Sequence, residues 1–134
     1  LRIVLDTNVF VSGILFGGHP NRIIKAWGSG KIDLVISPAI LDEYVRVAED
    51  LARRKGVDIS PFIQMVGIRS TIWNAPRFCD SVCSDSDDDK FLECAVFSQT
   101  KIIVTGDRAL LATSGFKGIS VIAPAVFVKK YLGP

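Results

Sequence analysis

DSDDDKFLECAVFSQTKIIVTGD, residues 85–107, opens with four carboxylates in five positions and ends on another at Asp107. Phe91, Leu92, Cys94 and Ala95, with Phe97 or Ser98, repeat at helical spacing, and Ile102 to Thr105 is a mostly β-branched run. The stretch therefore reads as turn, helix, short turn, strand. A helix from Asp89 to about Ser98 descends about 14 Å at about 1.5 Å per residue. A strand from Lys101 to Thr105 climbs back about 13 Å at about 3.3 Å per residue. Asp107 thus returns to the level of Asp89, and both carboxylates face one end of the fold.

Outward from this stretch, the chain alternates apolar runs with amphipathic ones. Residues 2–6 (RIVLD) are a short apolar run ending in Asp6, followed by the cap-forming Thr7 and Asn8 and a helix over Val9 to Phe16. An apolar run that gives way to a helix marks a buried parallel strand. Ligands of such sheets sit beyond the carboxyl ends of the strands, where Asp6 lies. Pro20 starts a second helix (Asn21 to Trp27), Leu34 to Ser37 is the second strand, and Pro38 opens a long helix to about Lys55, closed by Gly56. Ser60-Pro61 begins a helix to about Ser70, and a short strand is expected around Ile72 and Trp73. After the strand at Thr105 come a short helix (Asp107 to Ala112), a last strand (Ile119 to Ala123) and a closing helix (Pro124 to Leu132). Trp27, Phe62, Trp73 and Phe91 are expected in the core. The alternation predicts an α/β fold, a three-layer α/β/α sandwich with a central, mostly parallel sheet of four or five strands, in a single domain over residues 1–134.

Composition narrows the function classes. The chain has 134 residues, about half of them apolar, enough for a sizeable core without staples. No apolar stretch has the length of a membrane span and no signal peptide opens the chain, so a cytoplasmic protein is expected. The chain starts at Leu1 rather than Met, consistent with a few residues missing or trimmed. Cys79, Cys83 and Cys94 are odd in number, and no histidine pair completes a zinc site. The net charge is only +2, but six acids lie between Asp80 and Glu93. The rest of the surface is left basic, through Arg53, Arg54, Lys55, Arg69, Arg77, Lys117, Lys129 and Lys130. An acidic focus in a basic surround suits a metal site that handles a polyanion.

Four acids converge on one rim in this reading: Asp6 after the first strand, Glu43 in the helix after the second, Asp89 at a helix start and Asp107 after a later strand. Like charges so placed need a cation to remain ionised together. Oxygen donors alone, without histidine or thiolate, favour Mg²⁺ or Mn²⁺. The chemistry this supports is metal-assisted phosphodiester hydrolysis.

Asp6-Thr7-Asn8 after a strand, Glu43 within SPAILDEYVRV, the helix DDDKFLECA and VTGD ending at Asp107 together resemble the PIN-domain ribonucleases, above all their prokaryotic VapC-type toxin-like branch. The resemblance covers nearly the whole chain in order. It implies a parallel-sheet α/β/α fold, an acidic cleft for Mg²⁺ or Mn²⁺, and endoribonuclease activity. It further implies Asp6, Glu43, Asp89 and Asp107 as catalytic metal ligands, with Asp88 in reserve for the third place. Thr7, Asn8 and Thr105 become the donors that orient those ligands. Lys90 and Arg108, each beside a proposed ligand, are candidates to hold substrate phosphate. RNA, a cognate antitoxin and a second copy of the chain are the expected partners. Ala109 and Leu110 stand where the toxins often carry a further acid.

Competing readings fit less well. An EF-hand over Asp85, Asp87 and Asp89 puts Lys90 at the required glycine and Val96 at the bidentate glutamate. A dehalogenase-like phosphomonoesterase needs an acid where Asn8 stands. The remaining alternative is a catalytically silent PIN fold that binds RNA or protein.

Overall fold

The computed structural model describes residues 1–133. Among these, five strands form one sheet: β1 (Arg2–Leu5), β2 (Asp33–Ile36), β3 (Ser70–Ile72), β4 (Ile102–Val104) and β5 (Ser120–Ile122). Their order is β3-β2-β1-β4-β5, and every neighbouring pair is parallel. The helices are α1 (Thr7–Leu15), α2 (His19–Gly28), α3 (Pro38–Lys55), α4 (Ser60–Arg69), α5 (Asp89–Ser98), α6 (Arg108–Leu111) and α7 (Pro124–Phe127). A 3₁₀ turn over Ser86–Asp88 leads into α5, and a π-helical turn over Val128–Leu132 extends α7. The predicted three-layer α/β/α fold is the observed one, with the sheet entirely rather than mostly parallel.

Strand order places the site. From β1 the chain steps to β2 and then β3 in one direction, then jumps back to lay β4 on the other side of β1. Right-handed crossovers in this order carry α1 to α4 over one face and α5 and α6 over the other. The direction of winding reverses between β1 and β4, and a crevice opens beyond the carboxyl ends of those two strands. Val4 pairs with Ile103 and Leu5 with Val104, so Asp6 and Thr105 leave the sheet side by side.

Both faces of the central strands are covered. Ile3, Val4, Leu5, Leu34, Val35, Ile36, Ile103 and Val104 are buried, which is why those strands read as unbroken apolar runs. Phe10 of α1 stacks on Tyr44 of α3 with ring centroids 4.2 Å apart, and Trp27 meets Phe10 edge-on. A Cβ at Gly13 would come within 2.4 Å of Ile24 Cγ1 and 2.7 Å of the Pro20 carbonyl, so the close packing of α1 on α2 requires glycine there. Gly56 closes α3 in the left-handed conformation, with φ 66°.

Some local expectations are corrected. Asp6, not Thr7 or Asn8, caps α1, its side chain accepting from the Asn8 N–H. Trp27 and Phe91 are core, but Phe62 is half-buried and Trp73 is exposed beside the edge strand β3, with the Arg2 guanidinium 6.0 Å from its ring centroid. Ile23 and Ile24 of α2 are likewise buried within the chain. No helix among the described residues is long and apolar enough to cross a membrane.

Candidate active site

Asp6 stands at the carboxyl end of β1 and is almost fully buried. Its backbone N–H continues the ladder to the Val104 carbonyl at 2.9 Å. The Thr105 hydroxyl donates to Asp6 Oδ2 and accepts the Asp107 N–H at 3.0 Å, so one buried hydroxyl holds both acids across the β1–β4 junction. Asp107 caps α6 through the Ala109 N–H at 3.2 Å. Glu43 lies in the second turn of α3, where the buried Tyr44 hydroxyl donates to the Leu5 carbonyl and pins the helix beneath the crevice. The Thr7 hydroxyl donates to Glu43 Oε2. Asn8 contributes its backbone N–H to Asp6 Oδ1 at 3.4 Å and is itself exposed at the mouth.

The third acid at the crevice is Asp88, the reserve candidate. Its carboxyl shares a hydrogen bond with Asp107, and it feels the charges of Asp107, Asp85 and Asp6. Asp89, the preferred candidate, is turned away. Its carboxylate accepts the Cys83 N–H at 2.8 Å and the Val82 N–H at 3.2 Å, tying the loop before the 3₁₀ turn to the start of α5. One turn along, buried Glu93 accepts the Phe78 N–H at 2.7 Å and clamps the beginning of the same loop. The i, i+4 spacing of Asp89 and Glu93 puts them on one side of α5, within reach of the same loop. The sequence carries that spacing as the signal for both clamps.

The charges of the two α5-start acids diverge accordingly. Burial, the hydrogen bond shared with Asp107 and nearby carboxylates push Asp88 up to about 7. Burial also acts to raise Asp89, but hydrogen bonds from Cys83, Ser81 and Val82 outweigh it and leave the carboxyl below its ordinary range. Burial lifts Asp6, Thr105 and Asn8 draw it back, and the charges of Glu43 and Asp107 lift it further, for a net rise.

Lys90 and Arg108, the two phosphate-holding candidates, differ. Lys90 Nζ lies 3.0 Å from Glu43 Oε1 and 3.2 Å from Asp87 Oδ1, so its ammonium is already committed to two carboxylates. Arg108 is exposed on the first residue of α6. Two depressions flank the acids. One, of about 460 Å³, runs from Asp6 and Asp107 past Asn8 and Ser12 to Pro20 and Pro124. The other, of about 300 Å³, is walled by Glu43, Asp87 and Lys90 with Arg46 and Arg77. A larger depression of about 550 Å³ at the end of α3, around Arg53 and Val57, lies away from the acids.

Residues 2–109 match the PIN domain family. The chain belongs to that family. Its PIN domain is also similar to the "Uncharacterized protein MJ1680" of Methanocaldococcus jannaschii, 33% identical over 117 residues, which is 84% of this chain and 74% of the relative. PIN domains are in general nucleases, and the all-parallel sheet with acids at its carboxyl mouth is the arrangement in which this PIN domain carries Asp6, Asp88 and Asp107.

PIN nucleases usually work with Mg²⁺ or Mn²⁺, and the donor set permits a test of fit. Asp6, Asp88 and Asp107 offer carboxylate oxygens only, and their mutual repulsion helps to raise the carboxyls of Asp6 and Asp88, which a divalent ion would relieve. That chemistry fits a hard cation. Among the described residues, no group of three or more His, Cys, Asp or Glu side chains is already gathered as a metal-binding cluster, so the carboxylates would draw together on loading.

Proposed function

We propose that this PIN domain is a Mg²⁺- or Mn²⁺-dependent endoribonuclease that hydrolyses RNA phosphodiesters in the cytoplasm, as the toxin of a toxin–antitoxin pair. The observation that carries the nuclease reading is that Asp6, Asp88 and Asp107 face one crevice, where the winding of the sheet reverses. The toxin role, an antitoxin partner and a homodimer rest on the resemblance to the VapC-type branch.

Asp6, Asp88 and Asp107 would hold the ion. When bound, it supplies Lewis-acid activation of water and offsets charge developing at phosphorus. The chain's own groups do the positioning. Thr105 fixes Asp6 against Asp107, the Asn8 N–H limits the rotation of Asp6, and Thr7 holds Glu43. The open flanks beside Asn8 and beside Arg77 leave room for an RNA strand to pass the acids on both sides.

The test is cleavage of single-stranded and hairpin RNA with Mn²⁺ and with EDTA. Cleavage in Mn²⁺ alone, lost in a folded Asp6→Asn variant, is expected. Metal-independent RNA binding without cleavage would replace the nuclease with a binding module. Turnover of small phosphomonoesters with RNA left intact would point to a phosphatase.

A further inference from the structure

The acids at the mouth of the sheet are of two kinds. Among the described residues, Asp6, Asp88 and Asp107 form no ion pair with a lysine or arginine. Glu43 and Asp87, on the α3 side, share one. Lys90 Nζ sits 3.0 Å from Glu43 Oε1 and 3.2 Å from Asp87 Oδ1, and its side chain is only 13% exposed. The other Glu43 oxygen accepts the Thr7 hydroxyl, so both oxygens of Glu43 are engaged.

We propose that Lys90 is a built-in counter-cation: its ammonium occupies the place between Glu43 and Asp87 that a second divalent ion would take. The protein then binds a single divalent ion, at Asp6, Asp88 and Asp107, and Glu43 anchors Lys90 instead of ligating metal. This inference rests on the metal-dependent nuclease reading and deepens it.

Three features support the assignment. An ammonium is a compact charge with three donors, able to bridge two carboxylates as a small cation does. Lys90 follows directly on Asp89, whose carboxylate is bound by the Val82 and Cys83 N–H groups, so the lysine starts from an anchored turn of α5. Displacing it would leave a largely buried ammonium without partners while two carboxylates were transferred to metal, and breaking such a pair is costly. The Arg46 guanidinium, 3.9 Å from the same Glu43 oxygen but 72% exposed, is too loosely placed to do the same work.

Ion counting on the full chain without RNA tests this, by calorimetric titration with Mn²⁺ and by the Mn²⁺ paramagnetic resonance signal. The wild-type chain is expected to bind one Mn²⁺. Lys90→Met and Lys90→Gln, checked for folding by circular dichroism, are expected to take up a second, weaker ion at Glu43 and Asp87. Glu43→Gln is expected to keep one Mn²⁺ with affinity within about tenfold of wild type, the small end of the effect of a supporting group. It carries the test by itself if the lysine variants do not fold. Two ions on the wild-type chain, one ion on folded Lys90 variants, or loss of binding in Glu43→Gln would each overturn the role of Lys90 while leaving the nuclease reading in place. No Mn²⁺ bound to the wild-type chain would remove that reading and this inference together.

Discussion

Asp88 and Asp89 are neighbours of identical chemistry, and they sit in opposite surroundings. On the crevice side, Asp88 meets the carboxyl of Asp107 with those of Asp6 and Asp85 near, and burial and these neighbours hold its own carboxyl up to about 7. On the loop side, Asp89 meets the N–H groups of Val82 and Cys83, and its carboxyl is held low. One residue of helix is a rotation of roughly 100°. That rotation separates a group that destabilises the metal-free fold from one that stabilises it. The crevice side stores repulsion that a cation can relieve, while the loop side has its charge satisfied and offers a ligand nothing.

The largest expected break in this comparison is in activity. Asp88→Asn should lower metal-dependent RNA cleavage by more than the roughly 10–100-fold that loss of a supporting group brings, with the fold retained by circular dichroism. Equal activity in Asp88→Asn and wild type would return the third place to Asp89. Thr105→Val, which keeps the buried shape but removes the hydroxyl between Asp6 and Asp107, should weaken Mn²⁺ binding by about 10–100-fold, read by titration. Stability should move the other way. Asp89→Ala strands buried N–H groups and is expected to cost about 1–3 kcal/mol in urea denaturation, whereas Asp88→Asn in EDTA should raise the melting temperature.

The pH dependence sharpens the contrast. In EDTA the folded chain holds protons on Asp88 and Asp6 more tightly than the unfolded chain, whose carboxyls titrate near 3.8. From Asp88, stability should therefore fall as pH rises from that value through about 7. Asp89 has the opposite sign: its stabilisation is present above the ordinary 3.8 and disappears as pH falls through its lowered value. Melts between about pH 4 and about pH 8 should show a decline that Asp88→Asn flattens and Mn²⁺ reduces. The smallest effect belongs to Asp87, another acid of the same run, whose side chain is 69% exposed. Asp87→Asn should shift stability by less than about 1 kcal/mol, as for other exposed ion-pair partners.

Much of the fold was legible because it is written locally. The apolar runs of β1, β2 and β4, the helix over Pro38–Lys55 with its Gly56 stop, and α5 over Asp89–Ser98 appear where periodicity and capping residues put them. Misreadings occurred where the outcome depends on distant partners. Trp73 is exposed because β3 is an edge strand, which no local pattern around Trp73 announces. Asp6 displaces Thr7 and Asn8 as the cap of α1 while also meeting Thr105 from ninety-nine residues away. Lys90 looks free to meet phosphate until Glu43, forty-seven residues earlier, is brought against it.

By itself, the sequence determined the series of strands and helices and the stock of carboxylates at their junctions, since spacing, capping and apolar periodicity act over a few residues. Only the tertiary structure decided that β4 lies against β1, which opens the crevice between Asp6 and Asp107, and that Asp88 rather than Asp89 turns into it. Those outcomes depend on strand order and on which backbone N–H groups the loop at Val82 and Cys83 presents to α5, and such pairings form between segments that have no local means of specifying one another.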